Sequence, residues 1–285
     1  MKGAPLKVNL HTHTARCGHA AGSDEEYVKA ALEGGFDVLG FSDHVPWPYA
    51  SGFWNPRVRM HITHLQDYLN SVRGLRARYA GQIRILCGFE CEYFPEYMSW
   101  LPDMAEEYGL DYLILGCHYD GTDETGMYFG NTKTAAELAR YVSLTVRGLE
   151  TGLFSYLAHP DLFMKRWPGA FDADCRAAAR DLCEACRAFS VPMEYNTHVR
   201  FEHGADSGYP CREMFLAAKE AGVPVLIGLD AHNPAELSDP AEWNRAEAEL
   251  KELGLTRLQM PELISFAAPG KGHAVPFGGA ARKAD

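Results

Sequence analysis

Seven short apolar runs punctuate this chain, and each delivers a group that is costly to bury at or just beyond its end. The runs are LKVNL (6–10), FDVLGF (36–41), IRILCGF (83–89), LDYLILG (110–116), FSYLA (154–158), PMEYN (192–196) and VPVLIG (223–228). Runs this short, mostly apolar and bounded by glycine or polar residues, read as strands buried on both faces. The stretches between them carry helix signals. SDEE (23–26) is a capping box with Ser23 at the N-cap and Glu26 three residues on, and the helix it opens closes at Gly34 and Gly35. TAAE (134–137) is a second capping box, and SDPAEW (238–243) places Pro240 just inside a helix start. Such alternation predicts an α/β fold, a parallel sheet with crossover helices. No repeat or flexible linker interrupts residues 6–267, so 1–267 is expected to be one domain. The last stretch, 268–285, lacks periodicity and is expected to be a flexible tail.

In a parallel α/β barrel, active sites lie at the C-terminal ends of the strands. Read in order, those ends offer His11 and His13, with His19 in the following loop. Next come Asp43 and His44, Glu90 and Glu92, then His118. The last three runs offer His159 and Asp161, then Glu194, Asn196 and His198, then Asp230 and His232. One such residue is unremarkable. All of them on one rim need mutual pairing or cations to offset the loss of hydration. The His11–Thr12–His13 spacing fits, because residues i and i+2 of an extended strand point the same way. Imidazoles with carboxylates and no dominant thiolate set suit Zn, Mn or Fe. A multinuclear metal site is the expectation.

The 285 residues are 47% hydrophobic and carry a formal net charge of −11. That balance argues against a nucleic-acid backbone or an anionic membrane as main partner. A small anionic substrate stays open, since bound cations reverse the potential locally. The start, MKGAPLKVNL, has no apolar signal region, and no apolar run is long enough to span a bilayer, so a cytoplasmic protein with eight free thiols is expected. Cys183 and Cys186 form a CxxC inside a helical stretch and read as ordinary helix cysteines.

HTHxxxxxH, SDH, a strand-end Glu, CH, AHPD and DAH, in this order, resemble the PHP (polymerase and histidinol phosphatase) superfamily, over essentially residues 6–267. FSDHVPW, GFECEYFPEY and EYNTHVR resemble most its monofunctional histidinol-phosphate phosphatases. The resemblance implies a distorted seven-stranded (β/α) TIM-like barrel with two or three divalent metal ions. Carried over by motif, one cation takes His11, His13, Glu90 and Asp230. A second shares Glu90 and adds His118 and His159, and a third takes His19, His44 and His232. Two motifs depart from the family pattern. LDAH stands where SDAH is usual, and the strand 6 motif is one residue shorter before Arg200.

The expected reaction is hydrolysis of a phosphomonoester, L-histidinol phosphate above all, by a metal-bridging hydroxide. Phosphate wants cationic donors, and Arg166, Arg200, Arg16 and Lys165 are the candidates. Asp161, Asp43, His198 and His203 are open as acid, base or orienting groups. Glu92 and Tyr119, with Tyr93, Trp47 and Trp54, are candidates for contacts to the rest of the substrate. The long irregular segment 46–60 is a candidate lid. A phosphodiester or nucleotide substrate is the nearest alternative. An amidohydrolase-type barrel also begins with HxH, but it often uses a bridging lysine where this chain has Glu90. Native metals and oligomeric state are open.

Overall fold

The computed structural model describes residues 5–203, 209–266 and 273–275, with the backbone alone at 201–203, 265 and 273–275. Its strands are β1 (Val8–Asn9), β2 (Val38–Phe41), β3 (Arg84–Cys91), β4 (Tyr112–Leu115), β5 (Met193–Asn196), β6 (Val225–Gly228), β7 (Leu263–Ser265) and β8 (His273–Val275). Its helices are α1 (Asp24–Glu33), α2 (Leu65–Arg78), α3 (Trp100–Glu107), α4 (Ala135–Glu150), α5 (Ala173–Phe189), α6 (His198–His203), α7 (Arg212–Ala221), α8 (Ala235–Ser238) and α9 (Ala241–Leu253). The first four strands form a parallel sheet in sequential order, β5 and β6 a parallel pair, and β7 and β8 an antiparallel pair. Of the expected tail, 273–275 is strand β8, and 268–272 and 276–285 lie outside the described residues.

Both capping boxes form. Ser23 and Glu26 exchange side-chain and backbone hydrogen bonds at the start of α1, and Thr134 and Glu137 do the same at α4. Pro240 is the N-cap of α9, one position before the expected one. In β2, β4 and β6 every residue is buried, as the unbroken apolar runs require. Alternate residues divide between two cores. Val38, Leu86, Tyr112, Ile114 and Leu226 join a smaller cluster with Val8, Leu10 and Tyr156. Leu39, Phe41, Ile85, Phe89, Leu113 and Ile227 join the large cluster shared with the helices. That is the period-two signature of a sheet covered on both faces. Around it α4 packs on α5, α5 on α7, and α1 on α8. Each fully buried aliphatic side chain removes apolar area worth about 1.5–3 kcal/mol.

The run 154–158 does not form a regular strand. Leu157 makes single parallel bridges to Leu115 and Met193, and Thr12 makes one to Ala231. Two causes shorten the ladder. Pro192 has no N–H to donate, although its carbonyl accepts from Leu157 N at 2.9 Å. One step on, His159 turns into the left-handed region at φ +29° and gives its N–H to the Glu194 carboxylate at 3.1 Å. The rim's chemistry interrupts the regular sheet at that point.

Candidate metal centre

Glu90, near the end of β3, stands at the middle of the rim. Its Oε2 lies 3.5 Å from His11 Nε2, 3.4 Å from His13 Nε2 and 3.1 Å from His44 Nδ1. Its Oε1 lies 3.2 Å from His118 Nε2 and 2.7 Å from His159 Nε2. Asp230, just after β6, faces the same space, with Oδ1 at 3.4 Å from His11 Nε2, 3.0 Å from His13 Nε2 and 3.5 Å from His232 Nδ1. His232 Nε2 is 2.9 Å from His19 Nε2. Glycine makes room for the carboxylates: a Cβ on Gly116 would stand 2.1 Å from Glu90 Oε1, and one on Gly228 would stand 1.7 Å from Glu194 Oε1. Asp230, at φ +50°, joins His159 in the left-handed region. Such backbone costs of order 1–3 kcal/mol per residue and persists where the surroundings over-determine it.

Several of these atoms are close to opposite charge yet misaligned for hydrogen bonding. His11 Nε2, both ring nitrogens of His13, His44 Nδ1 and Asp230 Oδ1 are buried without a hydrogen-bond partner. Lone pairs aimed at a shared point, and not at one another, are what a bound cation requires. Ligand atoms of His11, His13 and Asp230 lie within 4.8 Å of one another, as do those of His13, His44 and Glu90, of His11, Glu90 and His159, and of His19, His44 and His232. The charges agree. Burial pulls His118 toward neutrality, but Glu90 and Glu92 outweigh it and raise the ring to about 9. Burial opposes ionisation of Glu90, yet His118 and His11 hold it well below the carboxylate range. Asp230 is held down likewise, against burial, by His11 and His13. Such carboxylates need positive partners, supplied by protons on the rings or by metal ions in their place. The residues fit first-row divalent cations.

The model of the PHP domain family matches residues 9–198. This chain belongs to the PHP domain family. Over 253 residues it is 28% identical to the "Probable histidinol-phosphatase" of Deinococcus radiodurans, covering 86% of this chain and 92% of that one. It is 25% identical to the histidinol-phosphatase of Bacillus subtilis, covering 80% and 94%. The crystal structure of histidinol phosphate phosphatase from Lactococcus lactis, complexed with Zn, L-histidinol and phosphate, shares the fold. Its TM-score is 0.69 at 17% identity, over 94% of this chain and 98% of that one.

Behind the PHP rim, carboxylates orient the imidazoles. Glu194 Oε1 meets His11 Nδ1 at 2.8 Å and leaves Nε2 for the centre, and Asn196 Nδ2 donates to Glu194 Oε2 at 2.9 Å. Glu92 meets His118 Nδ1 at 3.2 Å. Asp43 sits behind His13, 3.5 Å from its Nδ1, and accepts from the Thr14 hydroxyl and His44 N. Glu236 meets His198 Nδ1 at 3.3 Å.

A cleft of about 290 Å³ opens over this PHP centre. His19, His44, Glu90, His118, His159, Asp230 and His232 line it, with Tyr119, Lys165, His198 and also Arg57, Tyr128 and Tyr209. The other expected contacts lie elsewhere. Arg16 is tied to Asp24 and Asp67 in a wider groove, about 1050 Å³, along α1 and α2. Arg200 is buried against Glu249, the Tyr209 carbonyl and Tyr195. Arg166 is exposed and not among the cleft-lining residues. Glu92 is 1% exposed and fully engaged, Trp47 donates to it, Tyr93 is core, and Trp54 is 41% exposed. Asp161 is buried, accepts from Cys211 N, and is pushed up to about 7 by that burial. The side chain of His203 lies outside the described residues. Sequence reasoning missed Arg57, Tyr128, Tyr209 and Glu236. The first three lie on irregular segments, and Glu236 lies on the one-turn helix α8, too short for periodicity to mark the side that meets His198.

All eight cysteines are free and buried. Cys183 and Cys186 pack in the core of α5, and burial pushes Cys183 up to about 12. No helix among the described residues is long and apolar enough to cross a membrane.

Proposed function

We propose that this chain is a metal-dependent phosphomonoesterase that hydrolyses L-histidinol phosphate to L-histidinol and phosphate. One observation carries the proposal: five imidazoles converge on the two carboxylate oxygens of Glu90 at the floor of a cleft walled by Lys165 and Arg57. Curated relatives that match nearly their whole length with most of this chain include histidinol-phosphatases, which supports the substrate; others of equal coverage are named probable phosphatases, which supports the chemistry alone.

His11, His13, Glu90 and Asp230 would hold one cation. Glu90, His118 and His159 would hold a second, and His19, His44 and His232 a third. Such divalent ions, Mn, Fe or Zn, make hydroxide available near neutral pH and offset charge on a phosphoryl group. The chain's residues do the rest. Glu194 and Glu92 fix the His11 and His118 rings through Nδ1 and so present Nε2 to the centre. Lys165 and Arg57 offer charge-assisted donors to phosphate oxygens. His198, held by Glu236 on the cleft wall, is the group best placed to give a proton to the departing alkoxide. Asp161 and Asp43 orient backbone and ring from behind the rim. The bridges at Leu157, and between Thr12 and Ala231, support a seven-stranded barrel in which 154–158 is the fifth strand. We take the enzyme to be cytoplasmic.

Elemental analysis of protein purified without chelators, with phosphate release measured from L-histidinol phosphate and from a panel of other phosphoesters, tests this. Two or three ions per chain and strong preference for L-histidinol phosphate are expected, with Glu90→Gln reducing kcat/KM by more than about 100-fold. Full metal loading with faster turnover of another ester would replace the substrate and keep the chemistry. No metal and no phosphate release would overturn both.

A further inference from the structure

Segment 46–60 is the longest irregular connection at the rim, and a lid over a cleft has to detach. Its packing is that of a clasped loop. Arg59 is the largest fully buried side chain among the described residues, at 1% exposure. Its Nη1 donates to the carbonyl of Val45, at the opposite end of the segment, at 2.8 Å. Its Nη2 donates to Glu92 Oε1 at 2.9 Å, and its Nε to Asp123 Oδ2 at 3.2 Å. Trp47 Nε1 donates to Glu92 Oε2 at 2.8 Å, the Tyr49 hydroxyl donates to Asp123, and Trp54 Nε1 donates to the Arg59 carbonyl at 2.8 Å. One guanidinium thus ties together both ends of the segment, the end of β3 and the connection after β4. The remaining contact of Glu92 leads into the centre: its Oε1 meets His118 Nδ1 at 3.2 Å, and His118 Nε2 meets Glu90 at 3.2 Å.

We propose that Arg59 is a positioning residue of the metal centre: through Glu92 it holds the His118 ring in place, and it pins 46–60 as a fixed wall of the cleft. The inference rests on reading that cleft as a metal-dependent phosphoesterase. The physics is that of a carboxylate shared between a guanidinium and an imidazole. A ligand imidazole that donates its second N–H to a carboxylate has its tautomer and orientation set by that partner. The partner must itself be fixed, and a buried carboxylate without a countercharge takes up a proton or moves. Arginine suits the post because its planar fork reaches Val45, Glu92 and Asp123 together, which a lysine ammonium on a single stem cannot do. The same contacts make the wall rigid, so Arg57 and Val58 are held at the cleft face and need no closing motion to reach it.

Three variants of the full chain test this: Glu92→Gln, Arg59→Lys and Trp47→Phe. Cation affinity is read by chelator competition, beside kcat, KM, the thermal midpoint and amide exchange over 46–60. Glu92→Gln and Arg59→Lys are expected to weaken the cation that Glu90, His118 and His159 would hold and to lower kcat by about 10–100-fold, with a smaller change in KM. Trp47→Phe keeps every charge and is expected to act in the same direction by a few-fold, which covers the case in which Arg59→Lys fails to fold. In the wild type the hydrogen-bonded amides of Tyr49, Gly52, Val58 and Arg59 exchange slowly, and in Arg59→Lys they exchange faster. Variants that lose thermal stability while keeping wild-type cation affinity and kcat would overturn the proposal and leave Arg59 a purely structural residue. Fast exchange of those same amides in the wild type would overturn the fixed wall. A wild-type chain that binds no cation would overturn the metal reading itself, which is a separable result.

Discussion

Two clusters of buried charge meet at His118, and they differ in whether they are complete. Around Arg59, the guanidinium, Glu92, Asp123 and the Trp47 indole satisfy one another at 2.8–3.3 Å. Around Glu90, five imidazoles and Asp230 crowd to similar distances, yet His11, His13, His44 and Asp230 keep buried atoms without partners. A complete cluster adds rigidity and asks for nothing. An incomplete one, kept at the cost of desolvation and of left-handed backbone at His159 and Asp230, is stable only with something added. Burial and charge are alike in the two clusters; hydrogen-bond satisfaction separates scaffold from site.

Metal removal breaks that comparison most directly and is the largest expected effect. Dialysis against a strong chelator should abolish phosphate release and lower the thermal midpoint. A ligand present at 100 times its Kd stabilises by about 2.7 kcal/mol, which in a chain of this size corresponds to about 5–10 °C. Adding Mn, Zn or Fe back should restore both. Calorimetry that finds an unchanged midpoint after verified removal would show the Glu90 cluster to be self-sufficient after all, like its neighbour.

The legibility of the two clusters differed as much as their chemistry. The imidazoles and carboxylates of the rim could be read because strand periodicity and strand-end position are local properties. His11 and His13 announce themselves two residues apart, and Glu90, Asp230 and His232 follow apolar runs directly. The parallel pairing within β1–β4 and between β5 and β6 followed from the same alternation. The shortening at 154–158 was not legible, because it depends on Pro192 in a neighbouring strand and on the backbone turn at His159. The Arg59 cluster was not legible either: its members sit at 47, 59, 92 and 123, and only tertiary packing joins them. Arginines show the difficulty most clearly. Arg16, Arg57, Arg59, Arg166 and Arg200 carry the same side chain, and only their surroundings assign one to a cleft, one to the core and one to an ion pair.

That contrast among arginines gives the second prediction. Arg57 and Lys165 line the cleft, and Arg166 and Arg16 do not. A charge-assisted hydrogen bond to phosphate is worth about 1.5–3 kcal/mol, so Arg57→Ala and Lys165→Met should each raise KM for a phosphomonoester about tenfold or more. Their thermal midpoints should stay near wild type, since both side chains are exposed. Arg166→Ala should leave KM where it is. Steady-state kinetics on the three variants decide it, and a raised KM in Arg166→Ala with a normal one in Arg57→Ala would move the phosphate to the other wall.

The smallest effect belongs to Arg200, and it sharpens the comparison by placing a third arginine with the self-satisfied group. Its guanidinium pairs with Glu249 and donates to the Tyr209 carbonyl at 3.2 Å, and the Tyr195 hydroxyl donates to the same Glu249 oxygen at 2.6 Å. Burial alone would raise Glu249, but the hydrogen bonds from Arg200 and Tyr195 outweigh it and hold the carboxyl below its ordinary value. A carboxyl depressed in the folded state contributes stability that is present above its unfolded pKa and is lost as pH falls through the folded value. Arg200→Met should therefore lower the thermal midpoint by about 2–4 °C at pH 7, for a partly exposed pair worth about 1 kcal/mol, with KM unchanged. Below about pH 4 the wild type loses this contribution too, so the gap between wild type and variant should close from the acid side. Glu249→Gln should show a similar deficit at pH 7 and the same convergence. A gap that persists into acid would assign the stabilisation to the contact of the Arg200 guanidinium with the Tyr195 ring, which protonation of Glu249 does not remove.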